Sequence, residues 1–236
     1  MGEVSGEGRS TREINTAIRR EMQRGETDIV VRDPGAKHNL GVAVIEPVSI
    51  RFDGSVGYYC GGLIDGPHYE IVGSAGWGLA ESMLNGHVVV RESVGNGAAA
   101  ALRGGTVVVH GDAAARLGVS MKGGTVLVAG NCGYMAGFMG QKGTIVVCGD
   151  AGPAFADSMY ETVCFVGGRI AELGTDAVIE PLGPKDVEFL ETALAEHLPE
   201  HARRGTRRAQ EFKKVVAGRK LWNFDKREWK LWQEAL

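Results

Sequence analysis

The chain repeats a glycine-led apolar pentapeptide at a constant step of 19 residues: GHVVV (Gly86–Val90), GTVVV (Gly105–Val109), GTVLV (Gly124–Val128) and GTIVV (Gly143–Val147). The segment TVCFV (Thr162–Val166) keeps the step with its glycine replaced. Val, Ile and Thr dominate these segments, and such residues are enriched in β-strands. A step of 19 residues is too short for a repeat built from two helices. The repeat therefore predicts a parallel β-solenoid with one short strand per coil.

Glycine marks the rest of each repeat, and 36 of the 236 residues are glycine. Three further glycine columns keep the step, and seven of their members are predicted to be structural turn glycines: Gly111, Gly118, Gly130, Gly133, Gly137, Gly149 and Gly152. Six full repeats span Gly54 to Gly167. We predict three parts: an N-terminal arm with a short helix (1–27), the β-helix (28–180), and C-terminal helices with a basic-aromatic tail (181–236).

Side chains alternate between the two faces of a strand, so each coil has inward and outward positions. Five columns of apolar or small residues are predicted to point inward and to fill a narrow core. The first two are Val56, Ala75, Val94, Ala113, Cys132, Ala151 and Cys60, Leu79, Ala98, Leu117, Ala136, Phe155. The third is Ile64, Met83, Leu102, Met121, Gly140, Met159. The two strand columns are Tyr69, Val88, Val107, Val126, Ile145, Cys164 and Ile71, Val90, Val109, Val128, Val147, Val166.

The turn glycines are interpreted as corners of the solenoid, because glycine reaches positive φ without a Cβ penalty. Asp112, Asn131 and Asp150 directly follow three of these glycines and suit the same turns. A glycine-rich phosphate loop is the alternative, and it requires one strand–loop–helix unit with an acidic residue about 20 residues later. Here the glycines recur in every coil without a helical pattern after them, which disfavours phosphate binding.

One outward-facing column is too apolar for a free solenoid. It reads Glu70, Val89, Val108, Leu127, Val146 and Phe165. An apolar stripe of this length is normally covered. Two covers are considered, the chain's own C-terminal helices and a partner subunit, and the five apolar members are accordingly candidate partner contacts.

The segments outside the repeat contain further predicted elements. A short helix is expected from Ser10 or Thr11 to Arg24, with Thr11 as N-cap, followed by strands at Asp28–Arg32 and Leu40–Ile45. Helical spacing recurs over 184–198 and 206–217. The tail from residue 203 onward has a net charge of +7 and interleaves basic with aromatic residues. We interpret it as a protein-docking arm with four candidate partner contacts: Trp222, Phe224, Trp229 and Trp232.

Composition excludes several functional classes. The net charge is −3, which predicts no general affinity for nucleic acid. The sequence contains no run of 18 apolar residues, so no membrane-spanning helix is predicted. Four cysteines have no metal-binding spacing and are expected to be reduced, buried thiols. His68 and His87 share a column and are expected to stack about 5 Å apart as a surface pair. No arrangement of Ser, Cys, His or carboxylates indicates catalysis, so no catalytic, cofactor-binding or metal-binding residue is predicted.

The motif G-[DN]-x-G-x-x-x-G, as in residues 130–137, resembles the GXGXG-repeat family. That family includes the right-handed, single-stranded β-helix at the C-terminus of the large subunit of glutamate synthase, and the β-helical subunit of formylmethanofuran dehydrogenase. Glu92, Ala114 and Thr162 depart from the pattern. The segment Thr206–Val216 is similar to the region after the glutamate synthase β-helix. The opening residues, from Ser10 to Leu40, look like the free-standing version found in N-methylglutamate synthase.

The resemblance implies a scaffolding role, with no cofactor on this chain. Glutamine hydrolysis would lie on a glutamine-amidotransferase-like sister subunit, and FMN, with iron–sulfur clusters as a further option, on a glutamate-synthase-like one. We therefore expect a non-catalytic subunit of a cytoplasmic hetero-oligomer, N-methylglutamate synthase being the first choice. The alternatives are the β-helical subunit of a formylmethanofuran dehydrogenase-type complex and a stand-alone homo-oligomeric scaffold.

Overall fold

The computed structural model describes residues 1–200 and 208–219, and in it an 11-stranded sheet wraps into a solenoid. Nine strands pair in parallel in chain order, and two helices flank them among the described residues. The parallel strands are β1 (Gly2–Ser5), β2 (Asp28–Arg32), β3 (Ser49–Asp53), β4 (Asp65–Ile71), β5 (Asn85–Val90), β6 (Thr106–Val109), β7 (Lys122–Val128), β8 (Lys142–Val147) and β9 (Glu161–Val166). The remaining elements are α1 (Thr11–Gln23), β10 (Ala177–Glu180), α2 (Pro184–His197) and β11 (Lys213–Ala217).

The strand register is the sequence repeat itself. Val88 pairs with Val107, Val107 with Val126, and Val126 with Ile145, each 19 residues on. A second line of single bridges stacks the first core column from Val56 to Ala151. All five predicted core columns are buried, so the predicted parallel β-solenoid is confirmed. The four cysteines form no disulfide and are buried, as expected.

Each coil turns through residues with positive φ at alternate positions. In one coil these are Arg116 (φ 61°), Gly118 (φ 63°) and Ser120 (φ 55°). In this conformation the backbone N–H groups of these three residues point alternately to the two neighbouring coils. Arg116 and Ser120 donate to carbonyls of the following coil, at 2.8 Å each, and Gly118 donates to a carbonyl of the preceding coil, also at 2.8 Å. Gly118 thus fits the predicted corner role, and alanine occupies the same column in Ala80 and Ala99.

A different constraint selects the glycine that precedes each Asp or Asn. The Asp112 carboxylate accepts the backbone N–H of Asn131 at 2.6 Å, and the Asn131 amide oxygen accepts that of Asp150 at 2.8 Å. A Cβ on Gly130 would overlap the Asp112 Oδ1 atom that makes this bond. Gly111, Gly130 and Gly149 therefore serve close approach between coils, which corrects the prediction that positive φ explains these glycines. The same holds for Gly133 and Gly152, whose Cβ atoms would meet backbone atoms of the preceding coil at 2.9 and 2.7 Å.

The one repeat without this glycine shows what the glycine permits. Glu92 stands in its place, directly before Ser93. There the Ser74 hydroxyl donates to the Glu92 carboxylate at 2.7 Å. In the next coil, where Gly111 is present, the Ser93 hydroxyl again accepts the N–H of Asp112 at 3.1 Å. The line of side-chain hydrogen bonds between successive coils and the glycine column therefore depend on each other.

The N-terminal end of the solenoid is closed by β1 and α1. β1 pairs with β2 and was not predicted, because four residues carry too little pattern. α1 confirms the predicted helix, but its N-cap is Ser10 and not Thr11, since the Ser10 hydroxyl accepts the N–H of Glu13 in a capping box. Ile14 and Ile18 of α1 are buried against the first coils.

The C-terminal end is closed by a reversal of strand direction. β11 pairs antiparallel with β9 and with β10, so the last parallel strand leaves no open edge. The prediction of a helix over 206–217 is wrong for its described part, because the β-branched pair Val215–Val216 continues the sheet. The predicted strand at Leu40–Ile45 is also wrong: this segment forms the turns of an early coil and buries Leu40 and Val44. No helix among the described residues has the length and hydrophobicity needed to cross a membrane.

The line of hydrogen bonds through Asp112, Asn131 and Asp150 can be tested by adding one methyl group beside it. Gly130→Ala should displace the Asp112 carboxylate from the Asn131 N–H and destabilise the fold by about 1–3 kcal/mol, the cost of losing a hydrogen bond to a charged group. Denaturant unfolding of Gly130→Ala, Asp112→Ala and the double variant measures this. We expect the two changes to be strongly non-additive. Additive effects would contradict a shared contact between these two residues.

Candidate functional site

The chain's own C-terminal segment covers the apolar outer stripe. Leu190, Ala193 and Leu194 of α2 pack on the stripe, followed by Leu198 and by Phe212. The five stripe residues that this segment covers are all buried: Val89, Val108, Leu127, Val146 and Phe165. Of the two covers considered, the structure therefore has the intramolecular one. These five residues are not exposed to a partner, which corrects their assignment as partner contacts.

Polar contacts of Asp186, near the N-terminal end of α2, fix the helix in place. The Asp186 carboxylate accepts the N–H of Gly183 at 2.8 Å and contacts the Lys214 ammonium at 3.0 Å. Burial opposes ionisation of Asp186, but these two contacts outweigh it and lower the pKa. Lys214 lies on β11, so this ion pair links the helix to the strand that closes the solenoid.

A cleft opens where α2 ends and the stripe emerges. It has a volume of about 710 Å³ and lies between strands β4–β6 and the C-terminal end of α2. Four of the six histidines of the chain line it: His68, His87, His110 and His197. These imidazoles lie beside Arg91, Glu196 and Glu200 in one cleft, which makes it the candidate site for small-molecule chemistry.

The two predicted stacking histidines form the floor of the cleft. The ring centroids of His68 and His87 are 4.9 Å apart, and their Nδ1 atoms approach to 3.1 Å. This confirms the spacing expected from the repeat. His197 from α2 adds a third imidazole, with its centroid 5.4 Å from that of His87.

His87 is held in its neutral form. Burial lowers its pKa to about 4, and the neighbouring imidazoles of His68 and His197 add to this effect. Its Nε2 atom is buried without a hydrogen-bond partner. At neutral pH His87 therefore supplies an uncharged imidazole and no general acid.

Arg91 and His110 form the other wall. Arg91 is paired with the Glu70 carboxylate through two contacts of 2.8 and 2.6 Å, and its Nη1 lies 3.2 Å from His110 Nε2. Burial lowers the pKa of His110, and the Arg91 charge adds to this. Glu70 also pairs with Arg51, so the charged groups of this wall belong to a ladder of ion pairs along the strands.

Sequence reasoning missed His110 and His197 as members of the cleft. His110 lies outside the column of His68 and His87, and His197 belongs to a helix outside the repeat, so no spacing rule connects them. Among the described residues, no three His, Cys, Asp or Glu side chains are placed to hold a metal ion. Three of the four cysteines are poor nucleophiles, because burial raises the pKa of Cys132 to about 12 and raises those of Cys60 and Cys164 further.

The turns of five successive coils form a second exposed surface, here called the turn face. It consists of residues 57–63, 76–82, 95–101, 114–120 and 133–139. Stacked aromatic rings begin it: the centroids of His38 and Tyr58 are 4.4 Å apart, and those of Tyr58 and Trp77 are 5.3 Å apart. Trp77 is 53% exposed and Tyr134, three coils further on, is 47% exposed. Exposed aromatics of this kind are typical of interfaces between proteins.

The remaining predicted partner contacts lie beyond the described part of the chain. They are Trp222, Phe224, Trp229 and Trp232, all within residues 220–236. The docking role of the tail stays a prediction.

Comparison with known proteins finds similarity both in sequence and in structure. No protein-family profile matches the chain. Protein GlxC of Rhizobium meliloti (strain 1021) is 50% identical over 216 residues, which are 91% of this chain and 92% of that protein. A chain in the X-ray crystal structure of the formyltransferase/hydrolase complex (FhcABCD) from Methylorubrum extorquens, in complex with methylofuran, superposes with a TM-score of 0.66. It is 26% identical, and the match covers 76% of this chain and 70% of that chain.

The cover over the stripe is testable by two adjacent substitutions. Val108→Asp places a carboxylate under α2 and should detach the helix while the solenoid stays folded. Val109→Asp places it in the solenoid core and should prevent folding, because a lone buried carboxylate costs several kcal/mol. Limited proteolysis at residues 181–183, read beside the circular dichroism of the strands, separates the two results. Identical behaviour of both variants would mean that the strand faces are wrongly assigned.

The pH dependence of stability should reveal His87. Its pKa in the fold, about 4, lies below the ordinary value of about 6.5, so the unfolded state takes up a proton first. Stability is therefore full above about pH 6.5 and falls as the pH drops toward 4. Thr106 occupies the same column, so His87→Thr extends the threonine column without strain. Thermal melts of wild type, His87→Thr and His87→Gln should show a smaller acid loss in both variants; equal losses in all three would refute this assignment.

Proposed function

We propose that this chain, which belongs to the GlxC family, is a non-catalytic assembly subunit of a hetero-oligomeric enzyme complex. The observation that carries the proposal is the likeness of its solenoid to a chain of a multi-subunit enzyme complex, over 76% of this chain. The solenoid core is filled by side chains and the outer stripe is filled by α2. What this architecture offers to other molecules is surface, and the turn face is its most apolar exposed part.

Within that class, a glutamate-synthase-type complex is our first choice, and N-methylglutamate synthase in particular. The support is the repeat motif G-[DN]-x-G-x-x-x-G, the similarity of residues Ser10 to Leu40 to the free-standing version of this domain, and the similarity of Thr206–Val216 to the region after the glutamate synthase β-helix. Glutamine hydrolysis then resides on an amidotransferase-like chain and flavin chemistry on an FMN-binding chain, with iron–sulfur clusters as a further option there. We place the complex in the cytoplasm, since four cysteines without a disulfide suit a reducing compartment.

A formylmethanofuran dehydrogenase-type complex is the second candidate. The observation that favours it is the structural neighbour, a chain of the formyltransferase/hydrolase complex FhcABCD. The two candidates differ in their sister chains and not in the role of the solenoid, so this chain alone does not separate them. The composition of the native assembly does.

Purification of the tagged chain from its native source tests both candidates. We expect amidotransferase-like and flavin-binding chains to co-purify in fixed ratio, with a flavin absorption spectrum. Formyltransferase-like chains in their place would select the second candidate. A wild-type chain that purifies without any stoichiometric partner would reject the hetero-oligomer altogether.

The purified chain alone should be colourless and without glutaminase or flavin-dependent turnover. The physical reason is that the thiols of Cys60, Cys132 and Cys164 are buried with raised pKa values and that His87 is neutral and half-buried. Absorbance spectroscopy and a glutaminase assay on the isolated chain are the measurements. Stoichiometric flavin on this chain would overturn the assignment of flavin chemistry to a sister subunit.

A further inference from the structure

The two ends of α2 are held by different kinds of contact. Near the N-terminal end, the charged Asp186 carboxylate accepts the Gly183 N–H and contacts the Lys214 ammonium. At the C-terminal end, the helix stops at Leu198, and the ring of His197 packs on the ring of His87 across the junction with the solenoid. Apolar residues of α2 lie on the outer stripe between these two ends. One end is therefore fixed by charge and the other by imidazole rings.

The docked helix leaves no favourable place for a proton on His87. The Nε2 atom of His87 is buried without a hydrogen-bond partner among the described residues, so a charged N–H there would have no acceptor. The rings of His68 and His197 pack against it, with centroids 4.9 and 5.4 Å away. Burial is the main reason that the pKa of His87 is lowered to about 4, and both neighbouring rings lower it further.

The charged groups around the cleft do not compensate for such a proton. Glu70 on β4 is already paired with two arginines, Arg51 and Arg91. Glu196 on α2 favours the protonated ring, but its side chain is 67% exposed and screened by water, and the effect of burial outweighs it. The described residues bring these titratable or charged groups to the cleft and its Arg91 wall: His68, Glu70, Arg91, His110, Glu196, His197 and Glu200.

We propose that the stack of His68, His87 and His197 is a pH-sensitive switch, in which acidification releases the C-terminal half of α2 from the solenoid while its N-terminal half stays docked. Release exposes the His87 ring to water and removes the His197 ring from it, so the open state accepts the proton that the closed state excludes. The movement also uncovers Val89 and Val108, which are buried members of the outer stripe. The switch is closed at neutral pH, and it does not depend on which complex the chain belongs to.

The size of the effect follows from the two protonation equilibria of His87. Its pKa is about 4 in the closed state and returns to the ordinary value of about 6.5 when the ring is exposed to water. Because the closed state has the lower pKa, protonation favours opening, and the effect grows as the pH falls from about 6.5 toward 4. Between pH 7.5 and pH 5, the equilibrium constant for opening should rise about 25-fold from this one proton. Asp186 stays charged over this range because its own pKa is lowered, so the N-terminal end of α2 keeps its contacts.

Residue-resolved hydrogen exchange of the full chain tests the switch, at pH 7.5 and pH 5 and with correction for the intrinsic pH dependence of exchange. Opening at the amides of residues 194–198 should rise about 25-fold at the lower pH. At pH 5 these amides should also open at least ten times more often than those of residues 188–190 and those of residues 125–128 in β7. Equal opening at 194–198 and 125–128 would mean that acid unfolds the whole chain, and equal opening at 188–190 and 194–198 would mean that α2 leaves as one piece. Either result would overturn the proposal.

Substitutions in the cleft identify the group that takes up the proton. His87→Thr, which extends the column of Thr106, and His87→Gln should each abolish the acid-induced rise at residues 194–198. His110→Gln is the matched control, because His110 lines the same cleft and its pKa is also lowered by burial. This control should keep the rise. A rise that persists in both His87 variants, or that disappears in His110→Gln, would contradict the assignment to His87. Co-purification of other subunits is a separate measurement, so this proposal and the proposed function can fail independently.

Discussion

The 19-residue hydrogen-bond register between coils is the constraint on which the rest of this structure depends. Each coil has three residues in the left-handed conformation. In the coil of Arg116, Gly118 and Ser120, their N–H groups donate alternately to carbonyls of the following and the preceding coil, which stabilises this conformation. A residue inserted between Arg116 and Ser120 would shift the later donors of this arc away from their acceptors, whereas the register shifts at Asp65–His68 and Lys122–Thr125 lie outside it. The constraint explains why small side chains and glycines are concentrated where coils approach one another. It also explains why both ends need a cap, since the last coil on either side has unmatched backbone groups.

The repeat made the solenoid predictable. The two ends of the solenoid and the cover over its outer stripe lie outside the repeat, so they were not predictable from it. Five core columns could be read from the sequence because each residue type is averaged over six coils. Ser10 could not be distinguished from Thr11 as the N-cap, since both are good caps and only the capping box with Glu13 decides. β11 resembled a helix because its surroundings are rich in Lys and Arg, while its pairing with β9 is a long-range contact without periodicity. The histidine cleft was half predicted: the stack of His68 on His87 follows from the repeat, but His197 arrives on a helix whose position no spacing rule gives.

The surfaces of the chain divide into three according to what they can still bind. The outer stripe is occupied by α2, and its apolar residues stabilise the single chain. The histidine cleft has the neutral imidazole of His87 and the paired charges of Arg91 and Glu70, which are suited to holding the junction of helix and strands together. The turn face is apolar and aromatic, and the described residues do not cover its exposed rings. A GlxC family member that works by assembly therefore has its most suitable contact surface on the turns and not on the strands, although the strands carry the more conspicuous hydrophobic pattern.

The position of α2 sets a limit on how many coils this protein can have. The helix touches β9 through Phe189 on Phe165 and reaches β5 through His197 beside His87. The helix axis rises about 12 Å over the eight steps from Phe189 to His197, and the side chains at these two positions extend its contact over the four coil steps, about 19 Å, from β9 to β5. The length of α2 is thus matched to the number of coils. One extra coil would need about three extra helical residues, nearly a full turn, for the helix to keep its contacts with both β9 and β5. Duplication of a 19-residue unit, the easiest way for a repeat protein to grow, would leave this one mismatched unless the helix lengthened in step.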